Sequence, residues 1–155
     1  MSKNIKGFVL ITGTTSGVGL NTLKPLIRFG WEVIAVNRSN KRAITVAEEF
    51  LTKDEIKNVH FIEVDLSDLD DVRKGCNEIL ERFNKPINSL ICNAAVYKPR
   101  LKRPERSAQG FENSMAVNHF GHFLMINLLL ENILSSEREI FLSGKSSVFK
   151  PRITV

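Results

Sequence analysis

Three glycines near the start of the chain, Gly13, Gly17 and Gly19, interrupt an apolar stretch before an apolar pattern resumes. They follow a strand-like run and open a helical pattern, where a helix N-terminus offers unpaired N–H groups and a positive dipole end. Gly13 is expected to make the tight turn, Gly17 to let phosphates approach the backbone, and Gly19 to let the helix pack on the strand. The pattern predicts a dinucleotide-binding turn. The other residues assigned to this turn are Thr15, Ser16 and Val18.

The end of the second predicted strand carries basic side chains and no acidic one, in the sequence VNRSNKR at residues 36–42. An NAD site places a carboxylate there to bind the ribose hydroxyls, whereas the 2′-phosphate of NADP is better met by arginine. Arg38 is the predicted phosphate ligand, assisted by Lys41 or Arg42, and the alternative is an ordinary solvated helix start. The charge pattern favours NADPH over NADH.

Strand-like and helical stretches alternate along the chain, and these elements must position the residues above. The predicted strands occupy residues 8–12, 32–36, 59–64, 89–92 and 140–142. The predicted helices occupy residues 17–29, 39–53, a stretch opened by Ser67 with Asp70 in the capping-box position, and 111–134. Strands that alternate with crossover helices predict an α/β fold, a Rossmann-type doubly wound parallel sheet with strand order 3-2-1-4-5. Helix 111–134 is apolar on nearly every side, so we expect it to be packed between neighbours.

Length, charge and cysteine content narrow the class of protein. The 155 residues are expected to form a single domain, and two cysteines are too few for a disulfide framework. No signal peptide and no apolar stretch near the ~18 residues of a membrane span are found, so we expect a cytoplasmic protein. The net charge of +5 is compatible with an anionic ligand, an acidic membrane surface or nucleic acid.

A basic loop follows the fourth predicted strand and contains Lys98, Arg100, Lys102, Arg103 and Arg106. It has no interleaved aromatic residue, which argues against a platform for single-stranded nucleic acid. Most basic loops of this kind are simply solvated, and contact with a substrate carboxylate or peripheral contact with an acidic membrane stays open. His119 and His122 stand at the spacing of metal ligands on a helix, but no third ligand accompanies them. Packing is therefore favoured for both histidines, and no metal is predicted.

Several short motifs resemble the short-chain dehydrogenase/reductase family. The glycine turn has the form Thr-Gly-x-x-x-Gly-x-Gly at residues 12–19, and VDL at residues 64–66 resembles the segment of the adenine-contacting aspartate. CNAA at residues 92–95 resembles the family's Asn-Asn-Ala-Gly motif, from which Cys92 and Ala95 depart. The resemblance implies cofactor-binding roles for Asp65, Leu66 and Asn93.

VNHFGH at residues 117–122 resembles the helix segment that carries the asparagine of the family's catalytic tetrad, here Asn118. Without the resemblance, Asn118 is a buried amide bonded to neighbouring backbone. The family also has a Ser or Thr after the fifth strand, a role open to Ser143 or Ser146, and a Tyr-x-x-x-Lys pair further on. The only tyrosine, Tyr97, has Leu101 four residues later, so that pair is absent.

CNAAVY at residues 92–97, GFE at 110–112 and NHFGHFL at 118–124 are similar to the light-dependent NADPH:protochlorophyllide oxidoreductases, a branch of that family. The resemblance covers residues 8–142 and implies light-driven reduction of the C17–C18 double bond of protochlorophyllide, with hydride from NADPH, at photosynthetic membranes. It places Cys92 and Tyr97 near the substrate. Without it, Cys92 is a small buried hydrophobe and Tyr97 a structural aromatic residue.

Everything that builds the sixth and seventh strands of the family is missing from the sequence. We therefore expect residues 1–155 to be one NADP-binding domain that is C-terminally truncated relative to the family and inactive as it stands. The alternatives are another short-chain reductase acting on a carbonyl substrate and a non-catalytic NADP-binding module. The oligomeric state stays open.

Overall fold

Five strands form one parallel sheet in the part of the chain that the computed structural model describes, residues 6–83, 85–98, 103–134 and 139–142. The strands are β1 (Phe8–Thr12), β2 (Glu32–Asn37), β3 (Val59–Glu63), β4 (Ile87–Cys92) and β5 (Glu139–Leu142). Their spatial order is β3-β2-β1-β4-β5, and every neighbouring pair is parallel. The predicted doubly wound sheet and its strand order are confirmed.

Helices connect the strands and cover both faces of the sheet. They are α1 (Gly17–Arg28), α2 (Asn40–Phe50), α3 (Lys53–Ile56), α4 (Leu69–Arg82), α5 (Asn113–Met115), a π-helical segment (Ala116–Gly121) and α6 (His122–Leu134). Because successive strand residues point to opposite faces, β1 to β4 each supply both layers of the core. Buried residues in the α4 and α6 layer include Leu10, Ile34, Ile62, Leu90, Val72, Ile79, Met125 and Leu129. Those in the α1 and α2 layer include Ile11, Val33, Ala35, Leu23, Ile27 and Ala47.

The start of α4 differs from the prediction. Asp68, and not Ser67, is the N-cap residue, since the Asp68 carboxylate accepts a 3.0 Å hydrogen bond from the Asp70 backbone N–H. Ser67 instead donates from its backbone and its hydroxyl to the carboxylate of Asp65, at 2.8 and 2.7 Å. Gln109 explains the choice of cap: its side chain donates to Asp68 at 2.9 Å.

The predicted helix over residues 39–53 is also divided. Helix α2 ends at Phe50, the backbone of Leu51 is extended, and Thr52 begins α3 with a capping box that it shares with Glu55. The N–H of Thr52 donates to the Glu55 carboxylate at 2.9 Å, and the N–H of Glu55 donates to the Thr52 hydroxyl at 3.2 Å. The capping box at Thr52 therefore starts a new helix within a stretch whose composition favours one continuous helix.

The predicted continuous helix over residues 111–134 is wrong in two respects. It begins at Asn113 and changes to π-helical hydrogen bonding over Ala116–Gly121 before α6 starts. In addition, Phe123, Asn127 and Glu131, spaced by four residues, form an exposed stripe on α6. One side of α6 is buried and the opposite side faces solvent. No helix in the described ranges combines the length and apolar character needed to cross a membrane.

Gly121 lies where the π-helical segment meets the loop after β3. A Cβ atom at this position would overlap the backbone carbonyl of Leu66. The absence of a side chain therefore sets how closely the helix approaches that loop, which forms part of the carboxyl edge of the sheet.

We predict that Gly121→Ala destabilises the chain by about 1–3 kcal/mol, because the new methyl group must displace the Leu66 backbone or the helix. Urea unfolding followed by circular dichroism measures the change. Glu131→Ala on the exposed stripe of α6 is the control and should alter the free energy of unfolding by no more than about 0.5 kcal/mol. An unchanged unfolding midpoint for Gly121→Ala would contradict the close contact.

Candidate functional site

An open cleft lies at the carboxyl edge of the sheet, where the loops after β1, β2, β3 and β4 come together. Its lining residues are Gly13, Thr15, Val36, Asn37, Arg38, Ser39, Arg42, Val64, Asp65, Leu66, Ala94, Ala95, Val96 and Val117. In parallel α/β sheets this edge is where ligands bind, because loops and helix N-termini converge there. Five predicted cofactor residues line the cleft, namely Gly13, Thr15, Arg38, Asp65 and Leu66. Arg42, the predicted assisting base, lines it as well.

The glycine turn after β1 has the backbone geometry that its composition indicates. Gly13 and Gly17 have φ angles of +75° and +56°, in the left-handed region that favours glycine. A Cβ on Gly13 would clash with Ala94, whereas a Cβ on Gly17 would meet no atom within 4 Å. Gly19 packs so closely that a Cβ would overlap the Gly13 carbonyl oxygen. Gly17 therefore faces open space, and Gly19 holds α1 against the turn.

The N-terminus of α1 has no side-chain cap. Its N-cap residue, Ser16, is extended and its hydroxyl makes no capping hydrogen bond, and the first turn contains no acidic residue. Ser16, Gly17 and Val18 are exposed and lie beside the cleft without lining it. Among the described residues, no carboxylate or hydroxyl side chain caps the first N–H groups of the helix or its positive dipole end.

Asn37, at the end of β2, ties the glycine turn to the neighbouring strand. Its side-chain oxygen accepts from the Thr14 backbone N–H at 2.7 Å, and its side-chain nitrogen donates to the Thr14 hydroxyl at 2.8 Å. Both residues are buried. Sequence reasoning did not single them out, although a polar residue directly after four apolar strand residues was a signal.

Arg38 and Arg42 bring positive charge to the cleft. Arg38 follows Asn37 directly, and Arg42 lies in the first turn of α2, which Ser39 caps. Among the described residues, neither guanidinium group takes part in an ion pair or a side-chain hydrogen bond. Lys41 is exposed and does not line the cleft. Two unpaired guanidinium groups can therefore meet an anion at this edge.

Asp65 lies at the cleft directly after β3, and its position is held locally. One carboxylate oxygen accepts from the backbone and hydroxyl of Ser67, and its backbone N–H donates to the Asp71 carboxylate at 2.7 Å. Leu66 is 6% exposed, so it contributes an apolar surface to the lining. Asp65 is placed to receive a hydrogen bond from a polar group in the cleft.

Asn93 holds the loop after β4 against the glycine turn. Its side-chain nitrogen donates to the carbonyls of Thr12 and Gly13 at 3.0 and 2.9 Å. We call residues 93–96 the wall loop, because Ala94, Ala95 and Val96 line one side of the cleft. Asn93 itself does not line the cleft, so its observed contacts fix the turn and the wall loop in place.

Asn118 lies in the π-helical segment and holds the far end of the wall loop. Its side-chain oxygen accepts from the Val96 backbone N–H at 2.7 Å, and its side-chain nitrogen donates to the Val96 carbonyl at 2.9 Å. The interpretation of Asn118 as a buried amide is wrong, because the residue is exposed. Its side-chain amide does form hydrogen bonds with neighbouring backbone, as that interpretation also expected. A π-helical turn at this position is typical of functional segments of helices.

The two histidines of this helix have different surroundings. His122 is 4% exposed and its Nε2 lies 2.8 Å from the Thr12 hydroxyl. Burial lowers the pKa of His122, and its hydrogen bond to the Asn118 carbonyl acts in the opposite direction. His119 is exposed and stacks on the ring of Phe123 at 6.1 Å between centroids. Within the described residues, no group of three or more His, Cys, Asp and Glu side chains forms a metal site.

The two residues assigned to the substrate are not brought together in the cleft lining. Cys92 is 4% exposed within the core, and burial raises the pKa of its thiol to about 12. Tyr97 is 75% exposed, beyond the last cleft residue of the wall loop. Ser143 and Ser146 lie outside the described residues, as do Arg100 and Lys102 of the basic loop.

We predict that Cys76 and Cys92 react slowly with a disulfide reagent at pH 8 in the folded chain and rapidly in urea. Burial raises both thiol pKa values from 9.0 to about 12, which lowers the thiolate fraction roughly a thousandfold before access is considered. The absorbance of released thionitrobenzoate gives the rate. A prompt reaction of either thiol in the folded chain would show that it is accessible.

Comparisons with known proteins agree with this geometry. The sequence matches the short chain dehydrogenase family over residues 7–140. It is 42% identical over 133 residues to a chloroplastic protochlorophyllide reductase of Daucus carota, covering 85% of this chain and 33% of that protein. It is 40% identical over 134 residues to protochlorophyllide reductase A of Arabidopsis thaliana, covering 85% and 32%. The chain therefore spans about a third of the length of these curated relatives.

A solved structure shares the fold. The 3-ketoacyl-(acyl-carrier-protein) reductase of Brucella melitensis, complexed with NADH, superposes with a TM-score of 0.64 and 26% identity, over 83% of this chain and 50% of that one. Three observations identify the family: the match over residues 7–140, the parallel sheet in the order β3-β2-β1-β4-β5, and the glycine turn at its carboxyl edge. The chain belongs to the short-chain dehydrogenase/reductase family.

Proposed function

We propose that the chain is a single NADP-binding domain whose cleft takes NADPH, and that the protein it represents is a light-dependent protochlorophyllide reductase. The observation that carries the first part is the uncapped N-terminus of α1 beside a cleft in which two guanidinium groups have no partner among the described residues. The second part is supported by the relatives named protochlorophyllide reductase.

The glycine turn fits the pyrophosphate of a dinucleotide. Free N–H groups at the start of α1 and the helix dipole attract a phosphate. Gly17 leaves open space where any other residue would place a Cβ atom, so a phosphate can approach the backbone there. No acidic side chain stands in the first turn of α1 to repel it.

The end of β2 fits the 2′-phosphate that distinguishes NADPH from NADH. Arg38 and Arg42 line the cleft, whereas an NAD site places a carboxylate at this position. A planar guanidinium group forms short, charge-assisted hydrogen bonds with phosphate. Asp65 lines the same cleft and would accept a hydrogen bond from the adenine amino group.

When bound, NADPH supplies the hydride of the reduction. The chain's own residues then orient it: the wall loop forms one side of the cleft, and Asn118 fixes that loop through the backbone of Val96. In this proposal Asn118 positions the cleft wall beside the reacting groups. Cys92, buried and with its thiol pKa raised to about 12, contributes packing at the end of β4 and supplies no thiolate.

We predict that Arg38→Ala weakens NADPH binding about 10- to 100-fold and NADH binding much less, because a charge-assisted hydrogen bond contributes about 1.5–3 kcal/mol. Nicotinamide fluorescence titration measures both affinities. Arg73→Ala removes the same charge from an exposed position on α4 and is the control. Equal losses for both cofactors would contradict the assignment of Arg38 to the 2′-phosphate.

We predict that the 155-residue chain alone forms no chlorophyllide when it is illuminated with NADPH and protochlorophyllide, because it has no Tyr-x-x-x-Lys pair for proton transfer. A chimera in which residues 8–142 replace the aligned segment of the Daucus carota relative should regain light-dependent formation of chlorophyllide, read from its red-shifted absorbance. The same chimera with Gly17→Val is the matched inactive control, since a branched side chain would fill the space left for the pyrophosphate.

The chimera and the 155-residue chain can each contradict part of the proposal. A chimera that folds and binds NADPH but forms no chlorophyllide would contradict the proposed substrate and favour a reductase for another class of substrate. Turnover by the 155-residue chain alone, well above a control without protein, would show that the missing pair is dispensable.

A further inference from the structure

His122 is a buried titratable residue to which the proposed function gives no role. We propose that His122, as the neutral tautomer with its proton on Nδ1, is a positioning residue that holds the wall loop against the glycine turn. The proposal deepens the proposed function, because the wall loop bears on activity only if the cleft binds the dinucleotide. It rests on the hydrogen-bond geometry around the Thr12 hydroxyl.

The Thr12 hydroxyl determines which of its contacts donates. Thr12 is fully buried at the end of β1, and its oxygen accepts from the backbone N–H of Asn93 at 3.0 Å and of Ala94 at 2.9 Å. A hydroxyl oxygen has two lone pairs and one proton. With both lone pairs occupied, the 2.8 Å contact to His122 is formed by the hydroxyl proton. Nε2 of His122 is therefore the acceptor and carries no hydrogen.

The other ring nitrogen completes the assignment. The ring of His122 also forms a hydrogen bond with the backbone carbonyl of Asn118. A carbonyl oxygen can only accept, so Nδ1 donates. One donor and one acceptor are what a neutral imidazole offers, and both are satisfied in a site that is 4% exposed.

This arrangement connects the two ends of the wall loop. On one side, the Thr12 hydroxyl that His122 orients receives the first two N–H groups of the loop, from Asn93 and Ala94. On the other side, the backbone of Asn118 accepts from His122 while its side chain holds Val96. A single imidazole therefore couples the residue that fixes the start of the loop to the residue that fixes its end.

Protonation of His122 would disturb this arrangement. A proton on Nε2 would face the hydroxyl proton of Thr12, whose oxygen already accepts from two N–H groups. Burial also disfavours the charged ring and lowers the pKa of His122. The titratable residues of the core on the elements packed against α6 are Cys76 on α4 and Cys92 on β4, and with pKa values of about 12 neither supplies a negative charge.

The sign of the pH effect follows from the lowered pKa. The unfolded chain binds a proton at His122 near the ordinary pKa of ~6.5, at which the folded chain still keeps the ring neutral. The stabilisation is fully present above that pH and is lost as the pH falls toward the lowered folded pKa. Dinucleotide binding to the folded chain should weaken as the pH falls through the lowered pKa of His122.

The first test reads the tautomer without using the cofactor. Long-range ¹H–¹⁵N correlation spectra of the 155-residue chain with ¹⁵N-labelled histidine, at pH 7.5, should show a protonated Nδ1 and a bare Nε2 for His122. The ring signals of His122 are identified by their absence from the spectrum of the His122→Gln variant. A proton on Nε2, or a charged ring, would overturn the proposal whether or not the chain binds a dinucleotide.

The second test separates positioning from simple packing. His122→Phe keeps an aromatic ring but removes both hydrogen bonds, and should weaken NADP⁺ binding about tenfold by calorimetry. His122→Gln offers an amide oxygen to the Thr12 hydroxyl and should recover most of the lost affinity. Its affinity should lack the decline that His122 causes in the wild type as the pH falls through the lowered pKa of the folded chain. NADP⁺ is used because it survives acid, and its own phosphate titration is common to both proteins.

His119→Gln, three residues earlier and exposed, is the matched control and should leave binding and its pH dependence unchanged. If His122→Phe binds NADP⁺ as the wild type does, or His122→Gln keeps the wild-type pH dependence, the positioning role is wrong. If the wild type shows the Nδ1–H tautomer but binds no NADP⁺, the hydrogen-bond assignment stands, and the proposed function fails together with the positioning role that depends on it.

Discussion

The close approach of α1 to the end of β1 is the constraint on which the rest of the site depends. Gly19 has room for a hydrogen only, because the Gly13 carbonyl and the Asn93 side chain occupy the space of a Cβ atom. That contact places the start of α1 at the carboxyl edge of the sheet and brings the loop after β4 to the glycine turn. A side chain at Gly19 would move the helix N-terminus away from the cleft that it borders.

Much of the fold follows from local pattern, and the departures have tertiary causes. Apolar runs bounded by turn residues located every strand, and the strand order is the one typical of doubly wound Rossmann sheets. Ser67 and Asp68 are both good N-cap residues by type. Asp68 takes the position because Gln109, 41 residues later, donates to its carboxylate, and no local pattern contains that contact.

The π-helical segment and the buried polar residues are further features that local sequence pattern does not predict. The apolar sequence before Leu134 fits an ordinary α-helix and does not indicate the π-helical segment, which ends at Gly121 where the helix contacts the Leu66 backbone. In the site, Gly13 and Arg38 were visible from composition and spacing. Thr12 stands out in the sequence only as part of a motif, since its hydrogen-bond partners come from the wall loop and α6. Residues that line the cleft thus left a signal in the sequence, whereas residues whose side chains join two segments left little.

The attachment of Arg38 to a fixed backbone has an entropic consequence. Asn37, the residue before it, is held by two side-chain hydrogen bonds to Thr14 and by the N–H of Val64, which donates to its carbonyl at 2.9 Å. Arg38 therefore starts from a backbone position that is already ordered, so an anion that binds it restricts side-chain torsions alone. An arginine on a mobile loop would also lose backbone freedom, at a cost of about 1–2 kcal/mol per residue ordered. The amide of Asn37 thus strengthens the binding of an anion to Arg38 without contacting that anion, because it lowers the conformational entropy lost on binding.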